Sequence, residues 1–180
     1  MTTVEPEESD LLSAFRLIDE QLAAAPQAGN LVVFRERLIA ELVGDADRVA
    51  ATLAPDFSLV THVGGKTLTS GRDQLVASIQ RLGAAPGGAL MWLRLESLVA
   101  DRTTVAGHGF LVTLTAAPSG GLRRTVGPLA FFVTSDGPLI TSESLYLDPP
   151  ADETTVLPDA TLADRQRCLD LVGGLPQPTR

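Results

Sequence analysis

Two titratable residues sit where a sequence reader expects only apolar ones. In the stretch Leu139 to Leu147, strict alternation puts Leu139, Thr141, Glu143, Leu145 and Leu147 on one side and Ile140, Ser142, Ser144 and Tyr146 on the other. Glu143 therefore shares its side with leucines. A carboxylate there costs several kcal/mol unless it is paired, solvated or protonated. A bulge, or a leucine side turned outward, would reverse the reading. His108 repeats the pattern, alongside Ala106, Phe110, Val112 and Leu114 and opposite Val105, Gly107, Gly109, Leu111 and Thr113. A lone histidine on such a face is also what a core histidine bonded to a neighbour looks like. Gly107 and Gly109 add weight, because glycine weakens a strand unless a close approach or a bend requires it.

If both groups face one hollow from strands separated by a third, their backbones stand roughly 10 Å apart. A small molecule fits between an imidazole and a carboxyl at that spacing, one taking a proton and the other giving one. Around them, Thr61 is expected to face in with Leu59, and His62 to face out beside the Gly64-Gly65 turn, where it could still touch a ligand at the rim. Leu59, Phe110 and Phe131 are candidate apolar walls of the substrate site. Trp92 shares a side with Arg94 and Glu96 and reads as an outer-face or subunit-contact aromatic, while staying, like Tyr146, among the candidate substrate-binding residues. Tyr146 is similarly placed, at a rim or a dimer contact.

The elements that must position these residues are legible. Leu11, Phe15, Ile18 and Leu22 form one helical stripe over about Pro6 to Leu22. A second helix is expected from Leu31 to Val43, ended by Gly44. A short third one, capped by Asp45 or Asp47, stops before Pro55. Period-two patterning then starts at Phe57, and Gly64-Gly65 offers a hairpin turn into a partner near Lys66 to Thr69. Ser70 and Asp73 have capping-box spacing for a helix closed by Gly83. Four long strands are expected: Leu90 to Ala100, Thr103 to Ala116, Leu122 to Thr134 and Leu139 to Leu147. After Asp148 comes a Pro-containing stretch with a last helix from Asp159 to about Val172. Helices, a hairpin, a helix and a meander make an α+β layout.

Composition sets outer bounds. The chain has 180 residues, 44% of them apolar, enough for one packed domain without disulfides. A net charge of −8 and the lack of a Lys/Arg cluster argue against nucleic acid and anionic membrane surfaces as partners. Cys168 is the single cysteine, which suits a reducing cytoplasm. Met1 to Asp10 is acidic and has no signal-peptide pattern, and no apolar run approaches a membrane span. Two distant histidines make a metal site weak, and neither a phosphate loop nor a G-x-S-x-G elbow is present. No cofactor is expected.

The segments GDADRVAATLAPDFSLVTHVGG (Gly44 to Gly65), SGRDQLVASI (Ser70 to Ile79) and GPLITSESLYLD (Gly137 to Asp148) resemble the SnoaL-like branch of the nuclear transport factor 2-like superfamily. The resemblance implies a cone-shaped, curved, mixed but mostly antiparallel sheet wrapped around helices and enclosing an apolar pocket, commonly in a homodimer. It spans residues 31–148. Residues 1–30 are then an N-terminal helical extension and 149–180 a C-terminal extension with one helix, either of which could cover the pocket mouth or extend a dimer contact. Members include polyketide cyclases, ketosteroid isomerases, limonene epoxide hydrolases, dehydratases and non-catalytic binders. Residue by residue, much of the carry-over fails. The isomerase base falls at Thr61, its protonated aspartate at Ala130 and its tyrosine at Arg37. The Asp-Arg-Asp set of the epoxide hydrolases is unmatched, those regions offering His108, Phe110 and Leu145. What the resemblance still implies is a cyclase pairing a histidine with an acid, His108 and Glu143, on a small hydrophobic natural-product intermediate. An epoxide hydrolase and a non-catalytic small-molecule binder are the alternatives.

Overall fold

The computed structural model describes residues 8–25, 28–84, 89–118, 120–148, 154–157 and 170. The expected start before Glu8 and the last helix from Asp159 lie outside the described residues, apart from Asp170. Three helices come first: α1 (Glu8–Ala24), α2 (Gly29–Val43) and α3 (Ala46–Ala51). Gly44 ends α2 in the left-handed conformation, φ 73°, with Asp45 N–H returning to Ala40 O at 2.9 Å. The Asp45 side chain then accepts from Arg48 N–H and opens α3. Next come β1 (Leu53–Val63), β2 (Lys66–Gly71) and α4 (Arg72–Ala84). Ser70 and Asp73 are not the pair that starts α4; the Gln74 side chain reaches back to Gly71 N–H at 3.0 Å. The long strands are β3 (Leu90–Ala100), β4 (Thr104–Ala116), β5 (Leu122–Asp136) and β6 (Leu139–Leu147), and β7 (Thr154–Leu157) comes after them.

The main strand order is β2-β1-β6-β5-β4-β3. All pairs are antiparallel except β1 with β6, which is parallel and joins the early hairpin to the meander. The sheet is thus mixed and mostly antiparallel, packed on helices as an α+β cone. The four-residue β7, unmarked by any sequence pattern, pairs with Leu122–Thr125 on the β5 edge that β6 leaves open. At the other border α1 lies along β3. There Ser13 Oγ accepts from Leu95 N–H at 3.2 Å, and Gln21 Nε2 donates to Leu98 O at 2.6 Å. Those contacts occupy backbone groups that an edge strand would otherwise expose. With Leu11, Phe15 and Ile18 buried, α1 belongs to the same packed core as the sheet.

Register sorts the faces. One inner row runs Leu59, Glu143, Val133, Val105; the next runs Thr61, Leu145, Phe131, Gly107. The outer rows are His62, Tyr146, Ala130, His108 and Val60, Ser144, Phe132, Ala106. Toward the other end of the long strands the buried set changes parity. Leu90, Trp92, Val112, Leu114, Leu122 and Val126 pack there with Leu11 and Phe15 of α1 and Ile39 and Leu42 of α2.

Candidate functional site: a shared guanidinium inside, a histidine row outside

Glu143 lies on the inner face and is nearly enclosed. Its Oε2 accepts from Arg37 Nη2 at 2.8 Å, and Arg37 Nε donates to Glu41 Oε1 at 2.8 Å. The side chains of Arg37, Glu41 and Glu143 are 4%, 14% and 11% exposed. Both α2 residues come from one helical face, at i and i+4, and β6 supplies the third group from across the core. The Phe57 ring lies 5.6 Å from the guanidinium, and Phe34 stacks on Phe131 at 5.3 Å nearby. Arg37 Nη1 has no partner among the described residues.

The electrostatics stem from two carboxyls on one cation. Burial pushes the Glu143 carboxyl up, Arg37 pulls it down and Glu41 pushes it up again; the net direction is upward from 4.5. Burial opposes the charge on Arg37, but the fields of Glu143 and Glu41 outweigh it, and its proton is held more tightly than usual. The set can therefore keep its cation while one carboxyl takes up or gives back a proton.

Beside Glu41, between α1, α2 and the β3–β4 pair, is a hollow of about 30 Å3. Phe15, Leu38, Glu41, Trp92 and Leu111 are among its walls. By volume it holds about one or two waters. The Trp92 indole N–H, on a residue 4% exposed, has no partner among the described residues. Trp92 is thus a core residue against α1, which corrects the outer-face expectation. The extended alternation was misleading there because burial parity switches along β3.

His108 does not join Glu143. It projects from the opposite face, 59% exposed, with Nδ1 3.6 Å from Glu96 Oε2, and Glu96 is the extra residue at a bulge in β3. The residues that β4 turns inward around His108 are Gly107 and Gly109. A methyl group on Gly107 would stand 2.8 Å from the Phe131 ring and from Ser97 O, and one on Gly109 would run into Arg94 O. Close strand packing accounts for both glycines. Glycines carry no apolar signal, so the face they occupy showed too little apolar weight to mark the core, and the face of His108 looked like the core.

His62 and Tyr146 lie on the outer face too, their rings stacked at 4.5 Å, with His62 Nδ1 3.1 Å from Thr67 Oγ1. With Glu96, His108 and Phe110 they border an open groove of about 660 Å3. Arg94 covers the Phe110 ring at 4.2 Å. Of the expected substrate-site residues, the fold brings Leu59, Thr61 and Phe131 to the inner face with Glu143. It leaves His62, His108, Phe110 and Tyr146 around the outer groove.

Arg37 and Glu41 were missed by sequence reasoning. The signal was available: an Arg/Glu pair at i,i+4 flanking the apolar stripe of α2, and an inward carboxylate on β6 in need of a cation. Among the described residues no three His, Cys, Asp or Glu side chains converge as metal ligands do. No helix among them is long and apolar enough to cross a membrane.

No family model matches the sequence, and no curated protein matches it. Solved structures do. A candidate SnoaL-like polyketide cyclase from Shewanella denitrificans OS-217 is 14% identical, with a TM-score of 0.53 over 73% of this chain and 90% of that one. A candidate polyketide cyclase from Xanthomonas campestris pv. campestris is 20% identical, with 0.51 over 67% and 90%. An NTF2-like protein from Burkholderia xenovorans LB400 is 21% identical, with 0.50 over 67% and 89%. Identities this low speak to architecture alone. With its mixed sheet, parallel β1–β6 pair and covering helices, the chain has the nuclear transport factor 2-like cone fold, which these structural neighbours share.

Proposed function

We propose that the chain is a cofactor-independent enzyme that opens an epoxide in an apolar natural-product intermediate, with ring closure by an internal hydroxyl as the preferred reaction. One observation carries the reading: Glu41 and Glu143 share the buried Arg37 at the edge of an apolar interior. The epoxide hydrolases of this fold pair acids with an arginine in the same chemical sense. Here the set comes from α2 and β6, where a position-by-position carry-over finds nothing.

In this scheme Glu41 takes the proton of the attacking hydroxyl, and the new C–O bond forms as the epoxide C–O bond breaks. Glu143, whose burial favours the protonated form, delivers a proton to the leaving oxygen. Arg37 keeps its charge throughout and holds both carboxyls in place. Exchange with water returns one proton to Glu143 and removes one from Glu41. His108 has no step here, because it faces the other way.

The test uses apolar epoxides bearing a pendant hydroxyl. Glu41→Gln and Glu143→Gln should each lower turnover about 100-fold, within the usual range for an acid/base group. Full turnover in both variants would overturn the reading, and bound epoxide without turnover in the wild type would leave a small-molecule binder. In 18O-labelled water, ring closure leaves the product unlabelled, whereas label in the product makes the chain an epoxide hydrolase.

We assign a second copy of the chain to the outer face. Val99, Phe132 and Tyr146 are 65%, 52% and 46% exposed there, an apolar surface of the kind subunit contacts cover. Sedimentation at micromolar concentration checks it, since a monomer for the wild type would contradict the assignment. The single cysteine supports a cytoplasmic home.

A further inference from the structure

The outer row His62, Tyr146, Ala130 and His108 is a rank of rings with one position missing. His62 and Tyr146 stack at 4.5 Å, 13° from parallel, so His62 takes the β1 side of the phenol ring. At the other end Glu96 Oε2, from the bulge in β3, lies 3.6 Å from His108 Nδ1. Between Tyr146 and His108 stands Ala130, a methyl group where its neighbours carry rings. It is part of the floor of the groove of about 660 Å3, with the Pro128 and Phe110 pair one step along the same face. Phe132, 6.3 Å from Tyr146 and nearly perpendicular to it, bounds the gap toward the next row.

Strand spacing sets the width of that gap. Tyr146 and His108 flank β5, so their backbones stand roughly 10 Å apart. One further ring, stacked on both at the spacing of the His62–Tyr146 pair, needs about 9 Å. A flat ring therefore fits, whereas a saturated ring is thicker and offers no π face. Around the groove Glu96 and Asp148 set two carboxylates against the Lys66 ammonium, which disfavours an anion. The electron-rich face of a phenol ring prefers an electron-poor partner.

We propose that the gap over Ala130 binds a neutral, electron-poor planar aromatic ring, stacked between the Tyr146 and His108 side chains. The site goes beyond the proposed reaction and does not depend on it, because the Arg37 set lies on the opposite face of the sheet. The contact assigned to a second copy centres on Val99 and Phe132, in the next outer row, and has Tyr146 in common with the ring site.

The chain has one tyrosine and two histidines, so the ring resonances of Tyr146, His62 and His108 are simple to assign. In the full wild-type chain, benzamide should shift the Tyr146 and His108 ring signals. It should bind about tenfold more tightly than cyclohexanecarboxamide, which carries the same amide on a saturated ring, the margin that two stacked faces supply. Benzoate should bind more weakly than benzamide. Ala130→Leu, which fills the floor of the gap, should abolish the shifts, and Ala130→Gly should keep them. Equal binding of the two amides, or shifts that survive Ala130→Leu, would overturn the proposal. So would a Tyr146 signal that ignores benzamide but moves on dilution, an outcome that gives the gap to the second copy. Glu143→Gln should leave benzamide binding unchanged, and its loss there would put the ring on the inner face and sink the outer site. Turnover in Glu143→Gln reports on the proposed reaction alone, so either reading can fail without the other.

Discussion

The two faces of the central sheet carry nearly the same chemical alphabet and use it differently. On the inner face, Glu143 is 11% exposed and answers to one buried arginine. On the outer face, His108 and Glu96 are 59% and 58% exposed and 3.6 Å apart. Enclosure is what separates them. Water screens the outer pair, and an exposed ion pair contributes little. The inner set has lost that screening, so its charges must be balanced locally and its proton affinities shift.

The largest way to break this contrast is to remove the shared cation. Arg37→Met leaves Glu41 and Glu143 enclosed without a partner, and a loss of about 3–5 kcal/mol is expected in urea unfolding. A loss below about 1 kcal/mol would mean that the inner carboxyls are as well solvated as the outer ones. Next comes the packing that turns His108 outward. Gly107→Ala should cost about 1–3 kcal/mol, because the added methyl meets Phe131 and the Ser97 carbonyl. A neutral result would return the glycine to a ligand role.

Smaller in stability, but sharper in chemistry, is the pH dependence of Glu143. Its carboxyl is raised in the folded state, so above pH 4.5 the native protein holds a proton that the unfolded chain has released. The contribution is complete below the unfolded value and is lost as pH rises through the folded one. Melting temperatures should therefore fall over that window, and Glu143→Gln should flatten the fall. An equal slope in both proteins would place the titration elsewhere. At the small end, His108→Ala should change stability by less than about 0.5 kcal/mol and leave turnover within about twofold.

Where sequence patterning succeeded and where it failed depends on what a strand's period reports. Alternation measures which side chains are apolar, and on β6 the leucines around Glu143 are the inner ones, so the period located an inward carboxyl. On β4 the inner positions around His108 are glycines, and the apolar period belongs to the far end of the strand, where Val112 and Leu114 pack against α1 and α2. The same parity change hid Trp92. The hairpin and the four long strands were readable because turn residues bound them, whereas β7 is too short to leave a pattern. Arg37 and Glu41 were hidden for another reason: a helical ion pair looks like a solvated face until a third group, 102 residues beyond Glu41, closes over it.

The most direct test sets the two faces against each other in one assay. Turnover of a hydroxyl-bearing apolar epoxide is compared for the wild type, Glu143→Gln and His108→Ala. A loss of about 100-fold is expected in Glu143→Gln and an unchanged rate in His108→Ala, because only the enclosed carboxyl handles the proton. A large loss in His108→Ala beside a normal rate in Glu143→Gln would contradict it and move the chemistry to the outer groove.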